Sequence, residues 1–317
     1  MYSKDKIVNV ITNCDKNYIM LASVWLFSLA ECSNPNTTYN IIIMSSDMND
    51  NDLTLLRKVL TGYDNCHISI YNVADILEKQ LFDKTWNKST IVYYSNLFIA
   101  EFFSDMDRCL YLDVDMIIKS NIEKLYDLAL PKGKYIAAVS AYGTRGKPNT
   151  KDSDYITNEL GLSRDEDYFN NGTMLLDIKG IREAGFLSRS KILSIVKRKL
   201  RFADQDAMNI LMKEKVLFLD PKWNVGAVKN YQDIDEKYKA ACEKPAIIHF
   251  NGPQKPIDNP NIIHAEEFWK VARKTPIYES LILYMMKKNT NSFSSEISIK
   301  KMIKGNMERV LLKLRKF

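Results

Sequence analysis

The stretch LYLDVDMII, residues 110–118, sets our expectation for both the fold and the chemistry of this chain. An apolar segment that predicts a strand ends at two acidic residues, Asp113 and Asp115, and a second apolar segment follows directly. Side chains two residues apart on an extended segment point to the same side, so the two carboxylates can share one divalent cation. Acidic pairs at this spacing recur elsewhere in the sequence, but only this pair stands between apolar runs, where two unpaired charges would be costly to bury.

The hydrophobic pattern on either side of this stretch alternates between strands and helices. Strand-like apolar runs occur at residues 6–13, 40–45, 67–72, 109–112, 135–140, 173–178, 216–220 and 246–250. Helical patterns lie between them, among others at residues 17–31, 50–61 and near 90–103. This alternation favours an α/β fold with a mostly parallel central sheet flanked by helices. Ligands of such sheets bind at the carboxyl edge of the strands.

Composition is ordinary for a globular protein and excludes several classes of function. The 317 residues, 46% of them hydrophobic, suffice for one large domain with additions. No apolar run is long enough to cross a membrane. Residues 300–317 hold seven basic residues and one acid, which accounts for the whole net charge of +6, so nucleic acid is not an expected partner. Five cysteines without paired spacing, and no secretory signal, predict a cytoplasmic protein.

Five further polar motifs are spread along the chain, four of them at the ends of predicted strands and helices. They are DKNY at residues 15–18, YYSNL at 93–97, YFNNG at 168–172, ADQD at 203–206 and HFNGPQKP at 249–256. Together with residues 110–118, these motifs make the chain similar to the retaining glycosyltransferases of family 8, which include bacterial lipopolysaccharide galactosyl- and glucosyltransferases and glycogenin. The resemblance covers roughly residues 6–270, and the combination is far more specific than any single motif.

The resemblance implies a GT-A type nucleotide-sugar-binding domain over residues 1–275 and a helical, basic extension over residues 276–317. It also implies retaining transfer of a hexose, galactose or glucose, from a UDP-sugar to a glycan, lipid-linked or protein-linked acceptor. The metal-binding pair of the family matches Asp113 and Asp115, and its third protein ligand matches His249. Manganese suits this mixed set of carboxylates and imidazole, and magnesium is the alternative.

The resemblance also implies which side chains hold the donor. Lys255 matches a lysine that reaches the pyrophosphate, and Gly252 would let the backbone approach it. The residues that match contacts to the uracil and the ribose are Asp15, Asn17 and Tyr18. Those that match contacts to the sugar hydroxyls are Asn170, Asp204 and Gln205. The donor-binding set is completed by Thr12, Asn96, Asp113 and Asn171.

Asp204 and Gln205 are the predicted catalytic residues, because a double displacement would need a nucleophile beneath the sugar. Retaining hydrolases use a carboxylate for that role, and an amide is a poor nucleophile. We therefore favour front-face attack, in which the departing phosphate accepts the proton of the acceptor. Alternatively, Asp204 can be a helix N-cap, and Tyr18 and His249 can be structural residues of the core.

Three positions depart from the family pattern and leave the donor sugar open. Asn96 stands where the family usually has an arginine, residues 140–142 where it often has an acid, and Ile257 where the last motif usually ends in tryptophan. A catalytically degenerate protein that binds a UDP-sugar is therefore an alternative. A phosphatase of the haloacid dehalogenase type also uses two acids after a strand, but there the pair follows the first strand. A nucleotidyltransferase would carry a glycine-rich phosphate loop, which residues 13–17 lack.

Two further segments have open roles. Residues 299–317 predict a basic amphipathic helix, a pattern that favours peripheral contact with anionic lipid on the inner face of the membrane. Such contact would suit a lipid-linked acceptor, and the alternative is a helix packed on the body of the protein or on a partner. Residues 143–169 predict a long polar excursion, either a functional loop or a solvated surface.

Overall fold

Two β-sheets organise the chain in the computed structural model, which describes residues 6–74, 92–141, 150–227 and 236–287. The strands are β1 Lys6–Asn13, β2 Thr37–Ser45, β3 Cys66–Asn72, β4 Arg108–Leu112, β5 Met116–Ile118, β6 Ile136–Ser140, β7 Phe169–Asp177, β8 Val216–Phe218, β9 Val225–Gly226 and β10 Ile247–His249. The larger sheet has the order β3-β2-β1-β4-β7-β6-β8, and the smaller sheet has the order β5-β10-β9.

Helices connect the strands and cover the sheets. The α-helices are Ile19–Glu31, Asp50–Val59, Ile99–Phe102, Glu123–Tyr126, Thr150–Asp154, Ile178–Glu183, Arg189–Val196, Ala203–Leu211, Glu236–Glu243 and Ala265–Ala272, and residues 278–287 are also helical. Short 3₁₀ turns occur at Lys16–Tyr18, Ser95–Phe98, Asp165–Asp167 and Pro221–Asn224, and a π-helical turn at Tyr155–Glu159. No helix in the described part of the chain is both long enough and apolar enough to cross a lipid bilayer.

The larger sheet is mostly parallel, as the sequence predicts. β1 pairs in parallel with β2 and β4, β2 with β3, and β6 with β8, whereas β7 runs antiparallel to its neighbours β4 and β6. This reversal places the amino end of β7 beside the carboxyl end of β4, where Leu112 pairs with Thr173. The motif at residues 168–172 therefore reaches the edge at which the parallel strands end.

The helix Ile19–Glu31 fastens the smaller sheet to the larger one. Its residues from Leu21 to Ala30 are all buried, as expected for a helix that is apolar on every face. It follows β1 in the chain and packs against β5 of the smaller sheet. Ser28 Oγ accepts a hydrogen bond from Ile118 N–H at 3.0 Å, which fixes the end of β5 on the helix.

Some elements differ from the sequence prediction. The helix predicted near residues 90–103 is broken in its described part, where the 3₁₀ turn Ser95–Phe98 precedes a single helical turn, Ile99–Phe102. The polar excursion at residues 143–169 contains helical turns over 150–159, which is described, whereas 142–149 lies outside the described residues.

The role of the carboxyl-terminal part of the chain, residues 276–317, is still a prediction. Backbone contacts group the chain into Met1–Thr275 and Pro276–Phe317, and the separate roles of the two predicted parts are untested. The basic helix predicted over residues 299–317 lies outside the described residues. The peripheral membrane contact inferred from that helix is therefore also still a prediction.

Candidate active site

The loop between β4 and β5 carries two acidic side chains at the point where the chain passes from the larger sheet to the smaller one. Backbone hydrogen bonds fix both residues: Asp113 N–H donates to Gly172 C=O at 2.9 Å, and Phe250 N–H donates to Asp115 C=O at 2.9 Å. Because β5 pairs antiparallel with β10, its first residue lies opposite His249. The strand pairing itself therefore brings this histidine to the acidic pair.

Asp113, Asp115 and His249 form a cluster that can hold a metal ion. One candidate ligand atom from each residue lies within 4.8 Å of the other two. His249 Nε2 is 3.1 Å from Asp115 Oδ1 and 3.5 Å from Asp113 Oδ2. Two carboxylates and one imidazole suit manganese, and carboxylates also suit magnesium. The structure thus brings together the three residues predicted as metal ligands.

The surroundings of the imidazole also fit a metal ligand. His249 is buried, and its Nδ1 lies 2.9 Å from Asn224 Oδ1. An amide oxygen can only accept, so Nδ1 carries a hydrogen, and in the neutral ring that metal ligation requires, Nε2 is left to face the carboxylates. Gly172 lies against the same ring: a Cβ there would stand 2.5 Å from His249 Cε1 and 2.6 Å from Asp113 Oδ2. A residue without a side chain at this position is what lets His249 and Asp113 approach each other.

Lys255 supplies a positive group beside Asp115. Its Nζ lies 2.5 Å from Asp115 Oδ2 and donates to Phe250 C=O at 2.7 Å, although the residue is only 8% exposed. Burial raises the pKa of the Asp115 carboxyl, but His249 and Lys255 together outweigh burial and hold this pKa well below its usual value. For Asp113, burial raises the pKa above its usual value, and His249 offsets this rise only in part.

A cavity opens in front of the acidic pair. Six of the predicted site residues line it: Asp15, Tyr18, Asp113, Asp115, Asn171 and Asp204. Tyr18 therefore faces the cavity instead of belonging to the core, and Lys255 Nζ lies 5.9 Å from the centre of its ring. The Asp15 carboxylate accepts a hydrogen bond from Asn17 N–H at 2.9 Å, which fixes the turn that carries Tyr18.

Asp204 is held at the cavity wall by two amides. Asn96 Nδ2 and Asn171 Nδ2 each donate to Asp204 Oδ2 at 2.6 Å. Burial raises the pKa of the Asp204 carboxyl to about 7, against the lowering effect of the Asn96 hydrogen bond. The alternative that Asp204 caps its helix is wrong, because the N-cap is Phe202, whose N–H donates instead to Asp206 Oδ2 at 2.8 Å.

Several predicted residues lie behind or beside the cavity. Asn170 and Gln205 are buried and bonded to each other, with Asn170 Nδ2 donating to Gln205 Oε1 at 2.9 Å. Thr12 is fully buried in β1, and its hydroxyl has no partner among the described residues. Asn17 is exposed, and Gly252 has open space where a Cβ would project. Direct contacts of these residues with the donor are still predictions.

Asn224 is a residue of this site that sequence reasoning missed. It immediately precedes β9, which pairs with β10, and this pairing places its side chain beside His249. A strand of two residues, Val225–Gly226, leaves no periodic pattern to detect. The available signal was a single polar residue inside the otherwise apolar segment at 223–227.

Comparison with known proteins identifies relatives of this chain. The lipopolysaccharide 1,3-galactosyltransferase of Salmonella typhimurium is 28% identical over 254 residues, which cover 78% of this chain and 72% of that protein. The lipopolysaccharide 1,2-glucosyltransferase of Escherichia coli is 28% identical over 280 residues, which cover 84% of this chain and 77% of that protein. Both relatives are thus matched over most of their length.

A solved structure and a family model complete the comparison. The bifunctional glycosyltransferase WbbM shares the fold with a TM-score of 0.77 at 22% identity, over 90% of this chain and about half, 53%, of WbbM. This likeness confirms the predicted α/β fold class. The family model described as Glycosyl transferase family 8 matches residues 9–258, well over half of the chain. On this match the chain is a glycosyltransferase and belongs to glycosyl transferase family 8.

Proposed function

We propose that this protein transfers a hexose, galactose or glucose, from a UDP-sugar to a glycan, lipid-linked or protein-linked acceptor, with retention of the anomeric configuration. The observation that carries the proposal is the cluster of Asp113, Asp115 and His249 at the cavity, with Lys255 beside it. The names of the two relatives, a galactosyltransferase and a glucosyltransferase of lipopolysaccharide, support a hexose donor and a glycan acceptor. Family membership removes the phosphatase and nucleotidyltransferase alternatives.

The residues around the acidic pair have distinct roles in this proposal. Asp113, Asp115 and His249 would hold Mn²⁺ or Mg²⁺, which, when bound, offsets the negative charge of the donor phosphates and of the leaving UDP. Lys255 would donate to the same pyrophosphate, since its ammonium lies beside Asp115, which lines the cavity. The uracil and ribose would contact the turn that carries Asp15 and Tyr18.

The contacts of Gln205 support front-face attack over a double displacement. Its Oε1 accepts from Asn170, and its Nε2 donates to the Tyr168 hydroxyl at 2.8 Å. A buried amide with both ends engaged in this way is poorly placed to attack a sugar carbon. Asp204 and Asn171 line the cavity and would hold the sugar hydroxyls. The departing phosphate would accept the proton of the acceptor hydroxyl.

The proposal is tested by Mn²⁺-dependent release of UDP from UDP-galactose, UDP-glucose and other UDP-sugars. We expect release from one hexose donor and a loss of about 100-fold or more in Asp115→Asn, since one metal ligand is removed without a change of shape. Asp105→Asn is the matched control, because Asp105 belongs to an acidic pair of the same spacing on the exposed surface.

Each outcome has a defined meaning. Binding of a UDP-sugar without any release would favour the degenerate binding protein over the enzyme. Failure to bind any UDP-sugar in the presence of Mn²⁺ would refute the proposed donor. Release that is equal in wild type and Asp115→Asn would refute the metal site.

A further inference from the structure

A chain of five buried hydrogen bonds runs behind the cavity wall and ends at the metal-binding histidine. Its members, in order, are Asp206, Tyr168, Gln205, Asn170, Asn224 and His249, and all of them are buried. The successive donor–acceptor distances are 2.6, 2.8, 2.9, 2.7 and 2.9 Å. We call this chain the relay. A buried polar network in which every link is made holds its members in one arrangement.

Two independent points set the direction of the relay. At one end, the Tyr168 hydroxyl gives its single hydrogen to Asp206 Oδ1, so it must accept from Gln205 Nε2. In the middle, the backbone N–H of Gly172 donates to Asn170 Oδ1 at 3.0 Å, so Asn170 must turn its nitrogen towards Gln205. Both constraints require the same orientation of the Gln205 amide.

Asn224 passes this orientation on to the imidazole. Because Asn170 Oδ1 accepts, Asn224 turns its Nδ2 towards it at 2.7 Å and its Oδ1 towards His249. In the neutral ring that binds a metal, the hydrogen is thereby held on Nδ1, and Nε2 faces Asp113 and Asp115. An inverted Asn224 would offer an N–H to Nδ1 and favour a hydrogen on Nε2, which would block metal binding.

We propose that Asn224 is a positioning residue for the metal ligand His249, and that the relay makes the metal site sensitive to Gln205. The inference rests on the proposed metal-dependent function. Asn224 acts through the ring of His249, and Gln205 acts through two further amides. Substitution of Gln205 should therefore weaken metal binding when no sugar is present, which a role confined to the sugar does not predict.

The first test measures Mn²⁺ binding in the presence of UDP, without acceptor, from the electron paramagnetic resonance signal of free Mn²⁺. Asn224→Leu removes the acceptor for Nδ1–H and should weaken binding by about 10- to 100-fold, the usual cost of losing such a partner. Asn224→Asp keeps an acceptor of the same shape and should stay within about threefold of wild type. Melting temperatures establish that both variants are folded.

The results separate the possible failures. If folded Asn224→Leu binds Mn²⁺ as tightly as wild type, or if Asn224→Asp loses as much as Asn224→Leu, the positioning role is overturned. If wild type itself fails to bind Mn²⁺ with UDP, the proposed function is overturned together with the relay.

The second test addresses the coupling to Gln205. Gln205→Met keeps the size of the side chain and removes both amide contacts, so Mn²⁺ binding should weaken by about three- to tenfold. In the Asn224→Asp background the link to Asn170 is already broken, because two oxygens face each other there. The same substitution should then have no further effect, and the difference between backgrounds measures the coupling. An unchanged affinity of Gln205→Met in the wild-type background overturns the coupling.

A pair of tyrosines provides a matched control for the far end of the relay. The hydroxyls of Tyr168 and Tyr155 both donate to Asp206 at 2.6 Å, but Tyr155 uses the other carboxylate oxygen, away from Gln205. Tyr168→Phe should therefore weaken Mn²⁺ binding, and Tyr155→Phe should leave it unchanged at a similar loss of thermal stability. Equal affinities of the two variants would overturn the participation of Tyr168.

Discussion

A methyl group added at Gly172 tests whether the three-residue cluster is the metal site. Gly172 is not among the residues of left-handed backbone conformation, so Gly172→Ala acts through steric contact alone. The new Cβ would stand 2.5 Å from His249 Cε1 and 2.6 Å from Asp113 Oδ2. Because van der Waals contacts between carbon atoms are favourable only from about 3.5 Å, the side chains of His249 and Asp113 must move away by about 1 Å.

The expected loss follows from this displacement. Metal–ligand distances stay within about 0.2 Å of their ideal values in well-formed sites, so a shift of about 1 Å exceeds the tolerance several times. Loss of an outer-shell partner costs about 10- to 100-fold in metal affinity, and displacement of a ligand should reach at least the upper value. We therefore expect Mn²⁺ affinity to fall by about 100-fold or more, equivalent to about 2.7 kcal/mol.

The assay is Mn²⁺ binding in the presence of UDP, followed by electron paramagnetic resonance and compared with the melting temperature. Gly180→Ala is the matched control. Gly180 lies in the helix Ile178–Glu183, which follows the opposite end of β7, and its Cβ would collide with Asp177 and Tyr135. Both variants should lose stability, and Gly172→Ala alone should lose the metal. A folded Gly172→Ala protein that binds Mn²⁺ as wild type does would refute the assignment of the cluster.

Three further predictions concern Asp204, Lys255 and Asn209. The pKa of Asp204 is about 7 in the folded protein, against an ordinary value of 3.8. Between these values the folded state binds more protons than the unfolded state. The free energy of unfolding of the metal-free protein should therefore fall as pH rises from about 4 to about 8. Asp204→Asn should remove this fall, as measured by urea unfolding at several pH values. An unchanged dependence of stability on pH would show that Asp204 is not its cause. Lys255→Met should weaken UDP-sugar binding about tenfold or more, because a charged hydrogen bond to phosphate is lost. Calorimetry measures this change, and an unaltered Kd would show that Lys255 does not contact the donor. Asn209 accepts from Phe169 N–H and donates to Phe169 C=O and Gln205 C=O. Asn209→Leu should therefore lower the free energy of unfolding in urea by about 3 kcal/mol. A loss below about 1 kcal/mol would contradict a stabilising role of these three hydrogen bonds.

The fold could be predicted as far as local pattern determines it. The apolar run in β1 is a buried strand whose neighbours are parallel, as predicted. The direction of β7 could not be predicted, because its residues, polar and apolar alike, are buried along nearly the whole strand, and burial on both faces is equally typical of parallel strands inside a sheet. Pairing with β4 and β6 depends on residues that are distant in the sequence, so the local pattern of β7 does not indicate its direction.

The candidate site could be predicted where its residues stand in motifs. The acidic pair and His249 meet as the resemblance implies, because β5 and β10 pair beside them. Asn224 escaped prediction because its contact depends on the short strand β9. The sequence placed Gln205 at the sugar, whereas the structure engages both ends of its amide with protein groups. A motif therefore identifies which residues gather at a site, but not which of their atoms are engaged with one another.

The ion pair between Lys255 and Asp115 has a thermodynamic consequence for loading of the site. Asp115 already has a cation of its own at 2.5 Å, so a divalent ion must compete with this internal counter-ion for the same carboxylate. A diphosphate that attracts Lys255 would remove the competitor, and by linkage the bound ion would strengthen diphosphate binding to the same degree. Metal and nucleotide would then enter as a cooperative pair, and the occupancy of one would report the occupancy of the other.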